Sequence, residues 1–392
     1  MPNPWLTIIG IGTDGPSGLS DASRRALATA EIVFGGPRHL ELAQVGAKGR
    51  PWPVPFDIAP VLEWRGRATV ILASGDPFWH GAGGSICAAL APEDWVSHPA
   101  PSTFQLAANH LGWKMEETTC LGLHAAPLSR LYPVLNAQTP VICTLRDGAA
   151  VGDLAAWLRG NGHPDCAMTV MEQLGGPNAR IRNATADSLD LTHITAPVIV
   201  ALRSKSPGLP RANGLRDDLF AHDGQITKSP IRALTLSALA PRAGQRLWDL
   251  GAGSGSVSVE WCLAGGHACA VELRADRVLN IRANSATFGL DRRLTVVNAA
   301  SVDAIATLPA PDAVFIGGGC EAGLLTAVWG AMAEGSRLVI NAVTLETEGL
   351  LTDWHARHGG SLMRFDIAEA TPLGRMRGWT AARPVVQWSV TK

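Results

Sequence analysis

The chain has 392 residues, 46% hydrophobic and 17% charged, with a formal net charge of −1 at pH 7; this is too long for one ordinary core and suits two domains of about 200 residues each. Residues 1–215 carry 16 Lys+Arg against 17 Asp+Glu, and residues 216–392 carry 17 against 17, so neither half has the basic excess of a nucleic-acid binder, and no apolar run approaches the roughly 20 residues of a membrane span. Seven cysteines with no Cys-x-x-Cys pair argue against a zinc ribbon or a disulfide framework and for a reducing cytoplasm, and residues 1–12 lack the basic start and long apolar region of a secretory signal.

From Leu6 to about Val200, short β-rich runs (6–12, 68–75, 140–145, 196–202) alternate with amphipathic stretches such as 21–30 and 103–111. That alternation predicts an α/β domain with a largely parallel sheet. Gly10-Ile-Gly12-Thr-Asp-Gly15 follows the first run and has the spacing G-x-G-x-x-G. Pro16 and Gly18 come next, and the predicted helix begins only near Ser20–Asp21. A dinucleotide fingerprint requires the loop to open a helix directly, so the NAD-dependent oxidoreductase reading loses its main support.

The motifs that follow are Ser74-Gly75-Asp76-Pro77 at a strand end, Pro101-Ser102-Thr103-Phe-Gln105 opening a helix, Leu123-His124, a strand closing at Leu145 before Asp147-Gly148, and Glu172-Gln-Leu174-Gly. This ordered set, over roughly residues 4–205, resembles the tetrapyrrole methylase family. The resemblance implies a class III fold of two α/β subdomains with S-adenosyl-L-methionine in the cleft between them. By motif it implies cofactor contacts at Gly75, Asp76, Trp79, Ser102, Thr103 and Leu145. Taken singly, Asp76 also reads as a turn cap, and His124 as a packed histidine.

Residues 204–225 cluster Pro, Gly, Asn and charge without apolar periodicity, which predicts a linker; the expected division is 1–205, a linker 206–223, and 224–392. A second α/β series follows, with a helix at 231–240, a strand and turn at 246–253, and strand runs at 268–273, 294–299, 313–319 and 337–343. Asp249-Leu-Gly251-Ala252-Gly253-Ser254-Gly255 lies between strand and helix, and Glu272 closes the next strand. Glycine serves a tight turn and lets backbone approach a ligand, the helix start offers free N–H groups, and the carboxylate suits ribose hydroxyls. The spacing G-x-G-x-G with Ser256 departs from the dinucleotide fingerprint and predicts a Rossmann-like class I methyltransferase fold.

Ile226-Thr227-Lys228 with Arg232, Phe315-Ile-Gly317-Gly318-Gly319, and Asn341-Ala-Val-Thr344-Leu-Glu346-Thr complete the pattern. From about Gly224 to Pro384 the chain resembles the decarboxylating precorrin methyltransferase family of cobalamin biosynthesis. The resemblance implies cofactor contacts at Thr227, Gly251, Ala252, Gly253, Ser254, Gly255, Glu272 and Ala300. Ala299 stands where an acidic residue is common in that family.

Together the two resemblances imply two S-adenosyl-L-methionine sites, one per domain, and no metal. They imply methylation of precorrin-6B at C5 by the first domain. The second would methylate C15 and release the C12 acetate carboxyl, giving precorrin-8. Asn341, Thr344 and Glu346 are the catalytic candidates, and Gly318, Arg375 and Arg377 the substrate-binding ones. The expected partner is an acidic tetrapyrrole, with no nucleic acid and no membrane. The chain is expected to be a cytoplasmic homo-oligomer receiving substrate from neighbouring cobalamin-pathway enzymes. A cobalt-loaded substrate and a non-catalytic tetrapyrrole carrier stay open as alternatives. The basic residues number 28 Arg and 5 Lys; Arg is the better bidentate partner for carboxylates, although a codon bias accounts for the skew equally well.

Overall fold

A computed structural model describes residues 4–392. The chain divides into two compact units, one running to Leu128 and resuming over Val134–Gly208, the other made of Ser129–Pro133 and Leu209–Lys392. Among the described residues no helix is long and apolar enough to cross a membrane.

The first unit contains two five-stranded sheets. In the first sheet β1 (Leu6–Ile11), β2 (Ile32–Gly35), β3 (Gly49–Pro51), β4 (Thr69–Ser74) and β5 (Trp95–His98) lie in the order β3-β2-β4-β1-β5. Every pairing in it is parallel. The strands are nearly continuous apolar runs because both faces are covered. Successive side chains point to opposite faces. Thus Leu6 and Ile8 join Phe34 and Ile71 on one side, and Ile9 and Ile11 join Val33 and Leu72 on the other. The helix after the first glycine loop starts at Asp21, capped by Ser20, with a short 3-10 turn (Gly15–Gly18) between loop and helix.

The second sheet holds β6 (Thr119–Gly122), β7 (Val141–Leu145), β8 (Ala167–Glu172), β9 (Arg180–Thr185) and β10 (Val198–Arg203) in the order β6-β7-β10-β8-β9. Only β6 and β7 run parallel; the other neighbours are antiparallel. The helix Thr103–Leu111 begins in a capping box, with Ser102 and Gln105 each accepting from the other's backbone N–H, so two orphan donors of the first turn are satisfied. Its Phe104, Ala107 and Ala108 pack on Ile142, Met171 and Ile199 of this sheet. Glu172 ends β8 buried, accepting from Arg180, Arg182 and the Thr195 N–H. Its motif therefore ties β8 to β9.

The second unit carries one seven-stranded sheet. Its strands are β11 (Arg246–Leu250), β12 (His267–Glu272), β13 (Leu294–Asn298), β14 (Ala313–Ile316), β15 (Arg337–Ala342), β16 (Ser361–Phe365) and β19 (Val385–Thr391). They are ordered β13-β12-β11-β14-β15-β19-β16. The first five are parallel in the doubly wound order 3-2-1-4-5, and β19 enters antiparallel between β15 and β16. A separate hairpin pairs β17 (Ala368–Leu373) with β18 (Met376–Ala381). The expected α/β class holds in both halves, but the largely parallel arrangement expected over the first half holds for its first sheet only, since the second is mostly antiparallel.

The expected linker is different in structure. From Leu209 onward it belongs to the second unit, and Leu215 and Phe220 are buried in that unit's core. The reason is electrostatic as well as apolar. Glu260, buried on the helix Ser256–Leu263, accepts from the N–H groups of Gly214 (2.6 Å) and Leu215 (3.0 Å). Pro, Gly and charge in this stretch serve turns around a buried carboxylate.

A chain starting at Leu209 should therefore fold, whereas one starting at Gly224 should lose on the order of 4 kcal/mol from the missing Leu215 and Phe220 burial, with the Glu260 partners lost in addition. Urea unfolding followed by circular dichroism would check this; equal stability of the two truncations would show that 209–223 is a linker after all.

Candidate functional site

In the second unit the site starts from β11, whose last turn-forming residues are held from below by Asp249. The Asp249 Oδ2 accepts from the Ser258 N–H (3.2 Å) and Oγ–H (2.6 Å), fastening the glycine loop to the helix it precedes. Burial pushes the Asp249 carboxyl up to about 6, with the neighbouring Glu272 charge adding to the rise. Its Oδ1 and the Ser254 Oγ are buried and lack a hydrogen-bond partner among the described residues.

Glu272 closes β12 and accepts from two backbone donors, Gly253 N–H (2.9 Å) to Oε2 and Arg274 N–H (2.9 Å) to Oε1. It thereby pins the apex of the glycine loop. Gly253 has φ +59, and a Cβ built there would meet nothing nearer than the Gln225 carbonyl at 3.7 Å. Its backbone faces open space rather than core.

That space is a cavity of about 990 Å³, at the upper end of the size range of small-molecule sites. Thr227, Gly251, Ala252, Gly253 and Ser254 are on its wall, together with Gly318 and Asn341. These expected residues thus share one site. Asn341 donates from Nδ2 to Thr235 Oγ1 (2.8 Å) and accepts from Gln387 Nε2 (2.9 Å), a buried triad joining β15, β19 and the helix Ser229–Leu239 behind the wall.

Other expected residues fall elsewhere. A Cβ on Gly255 would meet the Ile281 side chain at 2.8 Å, so this glycine permits helix packing and is not on the wall. Ala300 caps the short helix Ser301–Ala304 and is also off the wall. Thr344 caps the helix Leu345–His358 through the Thr347 N–H, and Glu346 is exposed on its first turn. Neither lines the cavity, because the chain turns into that helix just after Val343, which does. Arg375 lies in the β17–β18 turn and Arg377 is exposed on β18. Only the base of that hairpin, Glu369, Thr371 and Thr380 onward, reaches the cavity. At about 3.3 Å per residue, Arg375 stands roughly 10 Å or more beyond that base.

Four cations are on the wall, Lys228 of the Ile226–Lys228 motif and three not singled out from sequence: in chain order Arg216, Lys228, Arg277 and Arg383. The first three have carboxylate partners, Asp218, Asp217 (3.6 Å) and Asp223 (3.0 Å). Arg383, between β18 and β19, has no ion pair among the described residues. The excess of Arg over Lys was the available signal, and it carried no positional information.

The loop supplying Thr227 is held by Arg232, which is fully buried. Its Nε donates to Glu260 (2.5 Å) and its Nη1 to Asp217 (3.1 Å), and the guanidinium also donates to the Thr227 and Leu215 carbonyls.

In the first unit, a Cβ on Gly10 would lie 1.8 Å from the Gly75 carbonyl oxygen; only glycine lets these strand ends approach. Gly75 packs in turn on Ser102, whose Cα is 2.8 Å from a Cβ built at Gly75. Asp76 Oδ1 accepts from the Phe78 N–H (2.8 Å) and shapes the loop. Trp79 stacks on Phe104 at 5.8 Å. His80, beside it, lies within 3.0 Å of a Cβ built at Gly122, the end of β6. Leu123 N–H bonds to the Thr144 carbonyl next to Leu145. Gly75, Asp76, Trp79 and Ser102 are thus gathered around one loop, with Thr103 beside it on the helix and Leu145 at the adjoining strand ends. His124 Nδ1 is 3.5 Å from Thr144 Oγ1.

A family model described as tetrapyrrole (corrin/porphyrin) methylases matches residues 5–190, and one described as a precorrin methyltransferase domain matches residues 218–392. Over 401 residues the chain is 45% identical to a precorrin-6Y C(5,15)-methyltransferase (decarboxylating) of Sinorhizobium sp, spanning 100% of this chain and 97% of that one. A protein of the same name from Mycobacterium tuberculosis (strain CDC 1551 / Oshkosh) is 37% identical over 401 residues, with 99% and 100% covered. The crystal structure of the C-terminal domain of precorrin-6Y C5,15-methyltransferase from Rhodobacter capsulatus is 59% identical, covers 47% of this chain and 100% of its own, and has a TM-score of 0.46.

The Asp249 carboxyl sets a pH dependence. Its folded value of about 6 lies above the roughly 3.9 of an unfolded aspartate. The native state therefore binds the extra proton, and stability falls as pH rises through that window, by up to about 3 kcal/mol. Asp249→Asn removes this cost while keeping an acceptor for Ser258. Relative to the wild type, the variant should gain stability between pH 4.5 and pH 7.5 in urea unfolding of the second unit; a constant difference would contradict the assignment.

Proposed function

The chain belongs to the family of decarboxylating precorrin-6Y C(5,15)-methyltransferases, and from that premise we propose that it methylates a precorrin-6 macrocycle at C5 and C15 and removes the C12 acetate carboxyl. The first unit is assigned C5; the second is assigned C15 and the decarboxylation. Each unit takes its own S-adenosyl-L-methionine. The observation that carries this reading is the cavity of the second unit, where a glycine loop and Arg383, without an ion pair among the described residues, face one space.

The residues fit the donor. Gly253 leaves room at the loop apex, Ser254 offers a buried hydroxyl without a partner among the described residues, and Glu272 keeps lone pairs for ribose hydroxyls beyond its two backbone bonds. When bound, the donor supplies an electrophilic sulfonium methyl. The protein's task is to align that methyl with a carbon of the reduced macrocycle and to exclude water, a proximity effect. A bond forms from the macrocycle carbon to the methyl as the carbon–sulfur bond breaks. In the second step the acetate carbon–carbon bond breaks, its electron pair passes into the conjugated macrocycle, carbon dioxide leaves, and a proton is added. Glu369, on the wall and without an ion pair among the described residues, takes the proton-relay role in place of Glu346. Arg383 replaces Arg375 and Arg377 as carboxylate anchor of the second unit.

Product mass spectrometry with metal-free and cobalt-loaded macrocycles tests the reading through methyl count, carboxyl loss and metal preference together. Unmodified macrocycle in every case would end it.

Two predictions divide the labour. Gly253→Val should abolish C15 methylation and spare C5, since a β-branched side chain would fill the donor space and resist the positive φ. Asp76→Ala, which frees the 75–80 loop, should impair C5 methylation first. Equal loss of both methylations from each variant would contradict the assignment.

Arg383→Lys keeps the charge and loses the bidentate fork. It should raise the KM for the macrocycle in the C15 step about tenfold, with the S-adenosyl-L-methionine KM unchanged. An unchanged macrocycle KM would retire Arg383 as anchor.

A further inference from the structure

The first unit contains a cation that its own fold leaves uncompensated. Arg38 follows β2 and is half-buried. Among the described residues it makes one hydrogen bond, from Nη2 to the Thr13 Oγ1 at 3.2 Å, and no ion pair. A guanidinium taken partly out of water without a carboxylate is costly to the apo fold, and burial alone draws the Arg38 value down. The adjoining His39 adds no negative charge. His39 Nε2 pairs with Ser74 Oγ at 2.7 Å, and its Nδ1 is buried without a partner among the described residues. Burial and the adjoining Arg38 charge push His39 down to about 4, so the imidazole is neutral at working pH.

The position of these groups is as informative as their charge. Thr13 belongs to the glycine loop that leaves β1, and Ser74 ends β4 immediately before Gly75. Arg38 and His39 come just past the end of β2. All four thus stand off the carboxyl ends of parallel strands, where open α/β sheets bind ligands. Thr13 also touches the other subdomain. A Cβ on Gly176, in the turn after β8, would lie 2.6 Å from Thr13 Cγ2. The cluster therefore borders the seam between the two sheets of this unit, beside the 75–80 loop.

We propose that Arg38, with the hydroxyl groups of Thr13 and Ser74, forms a carboxylate-binding subsite in the first unit that anchors an acidic side chain of the macrocycle during C5 methylation. Thr13 orients the guanidinium, and the His39–Ser74 pair holds the second hydroxyl toward the same edge. The proposal rests on the functional reading above. The methionyl carboxylate of the methyl donor presents the same chemistry, so the test separates the two sources.

The experiment uses the full chain with a precorrin-6 macrocycle and S-adenosyl-L-methionine, resolving C5 from C15 methylation by carbon-13 labelling of the transferred methyl. Arg38→Gln should raise the macrocycle KM of the C5 step on the order of 10- to 100-fold. Arg38→Lys should recover part of the loss, and Thr13→Val should show a smaller rise. C15 methylation and carbon dioxide release should be unchanged in all three, which also reports that each variant is folded. Calorimetric titration with S-adenosylhomocysteine should give the wild-type number and affinity of sites. If the macrocycle KM holds and S-adenosylhomocysteine affinity falls at one site, the carboxylate is the donor's and the assignment to substrate is overturned. If neither changes in Arg38→Gln or Arg38→Lys, there is no carboxylate subsite. A wild-type chain that methylates neither carbon would instead overturn the functional reading from which the proposal starts.

Discussion

The second unit is organised around one buried ion pair, Arg232 with Glu260. Arg232 is fully buried and Glu260 nearly so. Taking two charges out of water costs several kcal/mol per ion, and it is recovered only where geometry and extra hydrogen bonds are good. Here both ends are well supplied. Glu260 accepts from Arg232 and from two backbone N–H groups, while Arg232 also reaches Asp217 and the carbonyls of Leu215 and Thr227. Phe220 lies under the guanidinium at 4.7 Å. The pair fixes residues 214–228 against the helix that follows the glycine loop, so one wall of the cavity is set by the same helix that sets the other.

Much of this architecture was legible in the sequence, because it follows from periodicity and turn chemistry. The alternation of β-rich runs and amphipathic stretches, the late helix start after Gly15–Gly18, and the strand–loop–helix around Gly251–Gly255 are local features. The cofactor-loop candidates Thr227 and Gly251–Ser254 meet on one wall because a single βα turn and the segment facing it supply them. What the sequence could not convey was long-range. Pro, Gly and charge over 206–223 look the same whether they float as a linker or fold around Glu260. Arg375 and Arg383 are eight positions apart with equal claim on composition; only the hairpin geometry sends one to the turn and the other to the cavity. Glu346 and Thr344 read as catalytic by resemblance, while the helix they begin carries them off the wall.

The two units bring main chain together with different backbones, each using glycine where strand ends converge. In the first unit Gly10 and Gly75 permit the approach of β1 and β4, and a 3-10 turn separates loop from helix. In the second, the loop runs straight into Ser256–Leu263, with Asp249 and Glu272 bracing it. Each unit also keeps an arginine without an internal carboxylate among the described residues, Arg38 in one and Arg383 in the other. An acidic macrocycle would supply the missing charge.

Both units are proposed to bind a methyl donor, each independently of the other. Calorimetric titration of the intact chain with S-adenosylhomocysteine measures this most directly. Two sites per chain with distinct affinities are expected of two unrelated loops. A stoichiometry of one, at concentrations that saturate the protein, would contradict the proposal.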